Sequence, residues 1–356
     1  MKRIIGILLT AVMLLGIVAC FAACGDSTYE IALVTDIGQL MDKGFNQGTW
    51  EGVEAYAKAN GKTYKYYQPA NGADASDNDR IAAMRQAITN GAKIIVAPGF
   101  LQQKAMETVA KENPNVKFVF VDGWAFGLDN VTAIVYKEQE SGYLAGYAAV
   151  MEGYTKLGFT GGGGGSNPAV CRFGYGFIQG AEDAAKAKGV NVEMKYSFKY
   201  GESFSASTEL QTQISGWYSA GTEVVFACGG SMFSSVLSAA NENANAKIIG
   251  VDVDQSPESE RVITSAVKGL SVSVQKVLGQ FYAGEWDAKL KDSASNLGAA
   301  DDSTGLPTET WRLKNWTVDQ YKELYNKIKN GEVTPKSEVP DDVTAGWTNV
   351  TVTLEK

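Results

Sequence analysis

The amino-acid sequence predicts an α/β protein made of two Rossmann-like, doubly wound lobes. Short apolar segments of β-forming residues alternate along the chain with longer segments whose apolar residues recur at helical spacing. Strands separated by helices of about 10–15 residues are typical of parallel βαβ units. The chain has 356 residues, which is long enough for two groups of such units, each with its own core.

The first group of units begins with a short apolar strand and continues to the middle of the chain. Its first two helices end at Asn60-Gly61 and Asn90-Gly91, which are typical helix stops, and its third helix ends before Pro114. The predicted strands are Glu30–Thr35, Thr63–Tyr67, Lys93–Ala97, Val116–Val121 and Val131–Tyr136, and the predicted helices are Gln47–Asn60, Asp77–Asn90, Gln102–Glu112 and Ser141–Glu152.

The second group repeats the same alternation. A polar segment, Asp292–Pro307, reads as a surface loop, and a last helix, Asn315–Ile328, is opened by Thr317. The predicted strands are Leu157–Thr160, Val192–Phe198, Glu223–Ala227, Lys247–Val251 and Arg261–Val267, and the other predicted helices are Phe173–Lys188, Ser205–Ala220, Ser231–Asn243 and Leu270–Ala283.

These elements predict a division of the chain into four parts. Residues 1–23 form a leader, residues 24–152 form lobe 1, and residues 153–268 form lobe 2. Residues 269–356 return to lobe 1 and carry the C-terminal helix. Ligands of doubly wound sheets bind beyond the carboxyl ends of the strands, so we expect the site there.

The N-terminus has the pattern of a bacterial export signal with a lipid-attachment site. Lys2 and Arg3 precede the uncharged apolar segment Ile4–Ala23. Small residues then precede Cys24, as in a lipobox, where the cysteine is acylated and becomes the new N-terminus; Cys20 is a second candidate. A permanent membrane helix is the alternative, because 20 apolar residues can just span a bilayer. Small polar residues after Cys24 favour the lipid anchor there and an extracytoplasmic location.

Composition excludes several classes of function. Lys and Arg total 32 against 40 Asp and Glu, so the formal charge is −8, and no basic block offers a footprint for nucleic acid. The chain contains no His, which removes His-based catalytic triads and His-ligated zinc. Cys171 and Cys228 remain after the leader; two buried free thiols are favoured over a disulfide between them. We expect no metal, no cofactor and no enzymatic activity.

The glycine run Gly161–Gly165 follows a strand and precedes a helix, which is where a phosphate-binding loop occurs. A dinucleotide-binding motif that starts at Gly161 requires Gly at position 166, where Ser166 stands, and no Gly-Lys pair follows for a P-loop. A flexible or close-packed loop is favoured over anion binding.

Polar and aromatic residues follow the first predicted strand. Asp36 lies at its carboxyl end, and Gly38 and Gly44 permit a tight loop that presents Phe45 next to Asn46. The ring of Phe45 is therefore placed to offer a flat face to a ligand, whereas Trp50 on the following helix reads as part of the core.

This segment resembles the opening motif of the basic membrane protein family of bacterial substrate-binding lipoproteins, whose members capture purine nucleosides for ABC transporters. Six further segments match in order along nearly the whole mature chain. They are Phe118–Asp122, Glu140–Gly146, Gly158-Phe159 with the glycine run, Phe173–Phe177, Ile249–Gln255 and Thr264–Lys268. The resemblance implies a type I periplasmic-binding-protein fold, in which two Rossmann-like lobes joined by three crossovers close on a ligand.

The resemblance also implies ligand-binding residues. Phe45 and Phe204 would sandwich the base, and stacking on one ring contributes about 1–3 kcal/mol. Asp36 and Asn46 would bind the base edge, and Gly230 would let the backbone approach the sugar. Asp252 would accept hydrogen bonds from the sugar hydroxyls, and Lys268 would donate to the sugar oxygens. Asp122 is a further candidate.

Three more aromatic residues bear on the pocket. Phe100 follows Ala97-Pro98-Gly99, which resembles the Gly-Phe strand end of the family, and it is expected to line the cleft. Trp124 and Phe126 are bulky for the loop that follows Asp122, and they are expected to narrow the pocket or change the stacking.

The function that the resemblance implies is capture of a nucleoside by a monomeric, lipid-anchored receptor on the extracytoplasmic face of the cell membrane, for import by a permease. A receptor for a sugar or another small metabolite is the alternative within the same fold, and a sensory receptor is a second one. A nucleoside-cleaving enzyme would need the acids Asp36, Asp252 and Asp254 to work without a His partner, which disfavours it.

Overall fold

In the computed structural model, residues 28–37 and 39–355 are described, and they form two mostly parallel sheets with helices on both faces. The predicted leader, both candidate lipid-attachment cysteines and Gly38 lie outside the described residues. The predicted α/β class with two doubly wound lobes is confirmed.

The secondary structure alternates as the sequence predicts. The strands are β1 (Ile31–Val34), β2 (Tyr64–Tyr67), β3 (Ile94–Pro98), β4 (Lys117–Val121), β5 (Val131–Tyr136), β6 (Lys156–Gly161), β7 (Val192–Ser197), β8 (Val224–Cys228), β9 (Lys247–Asp252), β10 (Val262–Lys268), β11 (Ser293–Leu297), β12 (Thr304–Gly305) and β13 (Val350–Glu355). The helices are α1 (Phe45–Ala59), α2 (Asp77–Thr89), α3 (Gln103–Glu112), α4 (Glu138–Glu152), α5 (Pro168–Lys188), α6 (Thr208–Ser219), α7 (Met232–Asn241), α8 (Leu270–Tyr282) and α9 (Val318–Lys329).

Each lobe is built on one sheet. Lobe 1 has six strands in the order β11-β5-β4-β3-β1-β2, and lobe 2 has seven in the order β12-β10-β9-β8-β6-β7-β13. All pairs are parallel except that of β10 with the two-residue strand β12. The carboxyl ends of the strands of each lobe therefore lie along one edge of its sheet.

Both faces of the lobe 1 sheet are apolar, because helices cover both. In β1, Ile31 and Leu33 face the core formed with α1 and α8, whereas Ala32 and Val34 face the core formed with α2 and α3. Side chains alternate across a strand, so a strand covered on both sides reads as a continuous apolar segment.

Helix α4 belongs to lobe 2, which corrects the predicted boundary at residue 153. It packs along α5 with the two backbones nearly touching, because glycines line the contact. A Cβ on Gly142 or Gly146 would lie 2.1 Å from a carbonyl oxygen of α5, and one on Gly180 would lie 1.9 Å from the Tyr143 oxygen. The chain therefore crosses to lobe 2 at Lys137, between β5 and α4.

The C-terminal part of the chain also differs from the predicted division. Residues 270–297 return to lobe 1, where α8 packs on α1 and β11 pairs with β5. Strand β12 pairs with β10 and strand β13 pairs with β7. Trp316 lies just before α9 and Tyr321 lies within it. Both side chains are buried in the core of lobe 2, so this part of the chain packs on lobe 2.

Three crossovers join the lobes, at Lys137, near Gly269 and near Gly298, and hydrogen bonds tie them together. The Glu140 carboxylate accepts from the backbone N–H of Ala299 at 2.6 Å and from the Thr304 hydroxyl at 2.8 Å. The Gly269 N–H donates to the Ser303 carbonyl oxygen at 2.8 Å. The three connections thus form one hinge region beside the ends of β5 and β10.

Candidate functional site

A cavity of about 550 Å³ lies between the lobes, where the carboxyl ends of their strands face each other. We call it the cleft. All eight residues proposed from the sequence as ligand-binding residues line it: Asp36, Phe45, Asn46, Asp122, Phe204, Gly230, Asp252 and Lys268. Lobe 1 supplies the first four and lobe 2 the other four, so the site depends on both lobes together.

Lys268, the last residue of β10, is the centre of an ionic cluster. Its ammonium lies 2.6 Å from the Asp122 carboxylate, 3.2 Å from Glu138 and 3.9 Å from Asp252. The side chain of Lys268 is only 2% exposed. Glu138 in turn accepts from Arg172 at 2.6 Å. The lysine therefore joins an acid of lobe 1 to an acid of lobe 2 deep in the cleft.

Three aromatic rings surround the same ammonium. Its nitrogen lies 5.0 Å from the ring centre of Phe45, 5.4 Å from Tyr136 and 5.5 Å from Phe173. Aromatic faces attract a cation, most strongly where water is excluded. Because rings and carboxylates fix Lys268 from several sides, its ammonium is a rigid donor at the wall of the cleft.

Burial and neighbouring charges shift the titration of this cluster. Burial raises the pKa of Asp252 to about 7; Lys268 lowers it, and the acids Asp122, Asp42 and Glu138 raise it. Burial also raises the pKa of Asp122. For Lys268, burial lowers the pKa, but the surrounding carboxylates outweigh burial and raise it above its ordinary value. Lys268 thus stays protonated, whereas Asp252 can change its charge near neutral pH.

Three of the proposed residues other than glycine have left-handed backbone conformations, with φ of 59° at Asp122, 56° at Phe204 and 66° at Asp252. Such angles are uncommon outside glycine, and they are most unusual for a bulky residue such as Phe. Strain of this kind persists where the surrounding structure holds it, and it clusters at binding sites. Asp122 follows β4 and Asp252 ends β9, and the left-handed conformation turns both carboxylates toward the cleft.

Asp42 is a site residue that the sequence analysis does not identify. Its carboxylate binds the backbone at the start of α1. Its carboxylate accepts from the backbone N–H groups of Gly44 at 2.9 Å, Asn46 at 3.1 Å and Gln47 at 3.2 Å. Burial raises its pKa, and these hydrogen bonds lower it in part. The Asp-x-Gly spacing of a capping turn was the available signal.

Asn46 is oriented by two acids. Its amide nitrogen donates to Asp42 at 3.1 Å and to Asp36 at 3.4 Å. Both partners are acceptors, so the amide oxygen must face the other way, and in the described part of the chain that oxygen has no hydrogen-bond partner. Asp36 itself lies against Gly99, where a Cβ would come within 2.2 Å of its carboxylate.

The structure places Phe100 apart from Trp124 and Phe126. Phe100 lines the cleft, as expected. Trp124 and Phe126 do not join the cleft lining; they pack on Phe120, with ring centres 5.6 and 5.8 Å from it. The expectation that these two residues narrow the pocket is therefore wrong, because both rings pack on Phe120 instead of lining the cavity.

The loop before α1 also contacts lobe 2 directly. Gln255 donates through its amide nitrogen to the Lys43 carbonyl oxygen at 2.7 Å, and the Lys43 ammonium pairs with Glu258. A Cβ on Gly44 would lie 3.6 Å from the Gly230 Cα and 3.7 Å from the Asp252 carboxylate. These contacts join the two lobes across the cleft.

The remaining sequence expectations for this region concern thiols and metals. Cys171 and Cys228 are free, and Cys228 lies in the cleft wall. Across residues 28–37 and 39–355, no group of three or more His, Cys, Asp or Glu side chains is arranged to hold a metal ion.

Comparison with known proteins places the chain in a family. The family model described as "ABC transporter substrate-binding protein PnrA-like" matches residues 30–341. The chain belongs to this family. It is a substrate-binding protein of an ABC transporter, a kind of protein that binds a small molecule and a permease.

Two relatives and one solved structure illustrate the likeness. The chain is 29% identical to the ABC transporter nucleoside-binding protein BmpA of Lactococcus lactis, over 82% of this chain and 87% of that protein. It is 27% identical to basic membrane protein B of Borreliella burgdorferi, over 93% of each. An ABC transporter solute-binding protein of Aeropyrum pernix shares the fold, with a TM-score of 0.72, 23% identity and coverage of 88% and 94%.

The fold is therefore that of the periplasmic solute-binding proteins, as the resemblance implies. Among the helices of the described residues, none combines the length and the apolar character needed to cross a membrane.

Proposed function

We propose that this substrate-binding protein captures a purine nucleoside in the cleft and delivers it to the permease of its ABC transporter. The observation that carries the proposal is the convergence of both lobes on one cavity with aromatic rings, strand-end acids and a buried lysine. Its volume of about 550 Å³ falls within the range of about 300–1,000 Å³ that is usual for small-molecule sites. The nucleoside-binding relative supports the same ligand class.

The base would lie between Phe45 of lobe 1 and Phe204 of lobe 2, because both faces of a purine are apolar and stack well on rings. Asp36 and Asn46 would accept hydrogen bonds from the base edge. Acceptors from two side chains favour a base that carries N–H groups on that edge.

The sugar would meet the ionic cluster. Asp252 would accept from the ribose hydroxyls, and Lys268 would donate to ribose oxygens. Hydrogen bonds to charged groups are stronger than neutral ones, so this end of the cleft would recognise the sugar as well as hold it. Gly230, where φ is +40°, would allow the backbone to lie close to the sugar.

The charge of the cleft favours a nucleoside over a nucleotide. Its two lysines are both engaged with acids, Lys43 with Glu258 and Lys268 with Asp122 and Asp252. Four carboxylates line the cleft: Asp36, Asp42, Asp122 and Asp252. A phosphate group would therefore meet negative charge and only cations that are already paired with carboxylates, which disfavours its binding.

We also propose that the protein acts as a monomer held on the extracytoplasmic face of the cell membrane by acylation of Cys24. The lipobox-like sequence before Cys24 supports this anchor. Two acyl chains are sufficient for stable membrane attachment. Metabolic labelling with a fatty acid, compared between the wild type and Cys24→Ser, tests the anchor: label that persists in the variant would contradict it.

The experiment for the ligand is a thermal-shift panel of adenosine, guanosine, inosine, their 5′-monophosphates, free bases and sugars. A ligand that binds only the folded state raises the melting temperature by mass action. We expect shifts with purine nucleosides and none with the monophosphates. A shift with a sugar and none with any nucleoside would favour the sugar receptor instead.

A further inference from the structure

The glycine run Gly161–Gly165, which the proposed function leaves without a role, lies directly under the ring of Phe204. A Cβ on Gly162 would come within 2.3 Å of two ring carbons of Phe204, and one on Gly163 within 3.1 Å of the ring tip. Real Cβ atoms do not approach other heavy atoms closer than about 3 Å, so no side chain fits between the backbone of Gly162 and the ring as it stands.

The turn that carries Phe204 is hydrogen-bonded to the same run. The Gly163 N–H donates to the Gly201 carbonyl oxygen at 2.9 Å, and the Phe204 N–H donates to the same oxygen at 3.1 Å. A Cβ on Gly201 would lie 2.2 Å from the Gly161 oxygen. Backbone therefore lies on backbone here, and this contact holds Phe204 in its left-handed conformation.

Three backbone N–H groups in and next to the run already have hydrogen-bond partners, which argues against anion binding. The Gly162 N–H donates to the Cys228 carbonyl oxygen at 2.9 Å, and the Ser166 N–H donates to the Gly163 oxygen at 2.9 Å. With Gly163 bound to Gly201, these amide groups do not form the open nest of donors that a phosphate requires.

We infer that Gly162 is a positioning residue. Because Gly162 has no side chain, the Phe204 ring packs directly on the backbone of the run, and this contact sets how far the ring projects into the cleft. The inference rests on the proposed function, since it gives Phe204 one face of the base. An added methyl group would push the ring toward the cleft. The ring would then occupy space that the ligand needs and lose its alignment with the base.

Gly162 is well suited to test this inference, because its φ of −77° and ψ of 171° are angles that any residue adopts. Gly162→Ala therefore adds a methyl group without straining the backbone. Gly216→Ala is the matched control. Gly216 lies in α6 of the same lobe, and a Cβ there would meet nothing within 4 Å.

Calorimetric titration with inosine gives the first readout. Stacking on one ring is worth about 1–3 kcal/mol, so Gly162→Ala should weaken inosine binding about 5- to 140-fold, while Gly216→Ala leaves it unchanged. In a Phe204→Ala background the ring is absent, and Gly162→Ala should then cost nothing further. An equal loss in both backgrounds would show that Gly162 acts independently of Phe204 and would overturn the inference.

A crystal structure of Gly162→Ala without ligand gives a second readout that does not depend on the proposed function. We expect the Phe204 ring to be displaced toward the cleft while Phe45 and Lys268 stay in place. A ring that remains in its original position would refute the positioning role. If the wild type binds no nucleoside, the proposed function fails, and the displacement of the ring still decides this inference.

Discussion

Replacing Asp252 by Asn separates the role of its charge in binding from its effect on stability. The carboxylate is buried at the end of β9, 3.9 Å from the Lys268 ammonium, and burial raises its pKa to about 7. Asn keeps the size and one acceptor oxygen of Asp, but it cannot carry a negative charge. We expect the variant to bind nucleosides more weakly and yet to be the more stable protein at pH 8.

The binding loss follows from the strength of charged hydrogen bonds, about 1.5–3 kcal/mol each, which corresponds to about a 10- to 140-fold weaker affinity for inosine. Hypoxanthine, the free base, lacks the ribose and should lose less than about twofold.

The stability gain follows from the shifted pKa. An unfolded Asp has its ordinary pKa of 3.8 and the folded Asp252 has a pKa of about 7, so the folded state favours the neutral acid. The contribution of Asp252 to the free energy of unfolding is greatest below the pKa of the unfolded residue, and it is lost as the pH rises through 7. Three pKa units correspond to about 4 kcal/mol as an upper bound at pH 8, and this figure already includes the attraction to Lys268, which lowers the pKa of Asp252.

Two measurements check this reasoning. Calorimetry with inosine and hypoxanthine should show a loss confined to the nucleoside. Thermal unfolding of both proteins between pH 4 and 8 should show the advantage of Asp252→Asn growing with pH. Equal losses for nucleoside and base would refute contact with the ribose, and a variant less stable than the wild type at pH 8 would refute the buried-charge argument.

Three further predictions concern the cleft and the core. Phe45→Ala should weaken inosine binding by about 1–3 kcal/mol in calorimetry, whereas Phe45→Tyr, which keeps a ring, should retain most of the affinity. Lys43→Ala removes an exposed ion pair across the cleft, so stopped-flow measurements should show faster ligand release, by less than about tenfold; unchanged release would contradict a closing role. Gly180→Ala would place a Cβ 1.9 Å from the Tyr143 oxygen, so denaturant unfolding should show a loss of several kcal/mol, about 3 or more, against little change for Gly216→Ala.

Much of the fold is predictable from the sequence because its signals are local. The βαβ alternation, the stops at Asn60 and Asn90 and the cap at Thr317 depend on residues close in sequence, and the structure confirms them. The lobe boundary was not predictable in this way. Whether α4 packs on lobe 1 or lobe 2 depends on the fit of Gly142 and Gly146 to α5, which is a contact between separate helices.

The edge strands were missed for a related reason. Strand β11 consists of the residues Ser-Ala-Ser-Asn-Leu and is largely exposed, so it lacks the apolar pattern that marks a strand. Its pairing with β5 comes from its position beside an open sheet edge.

The residues of the cleft also fall into two groups, those that the sequence identifies and those that it does not. Residues in recognisable motifs, such as Asp36, Phe45 and Lys268, were identified, and the structure brings them into one cleft. Asp42 and Glu138 were not identified as site residues, because their contribution is made through neighbours: Asp42 orients Asn46, and Glu138 pairs with Lys268. Such supporting roles depend on distances in space that sequence spacing does not encode.

The most direct test of the proposed mechanism is a crystal structure of the protein with inosine bound. We expect the base between the rings of Phe45 and Phe204, and the ribose hydroxyls within hydrogen-bonding distance of Asp252 and Lys268. A nucleoside bound outside the cleft, or bound in it with neither ring against the base, would contradict the proposal.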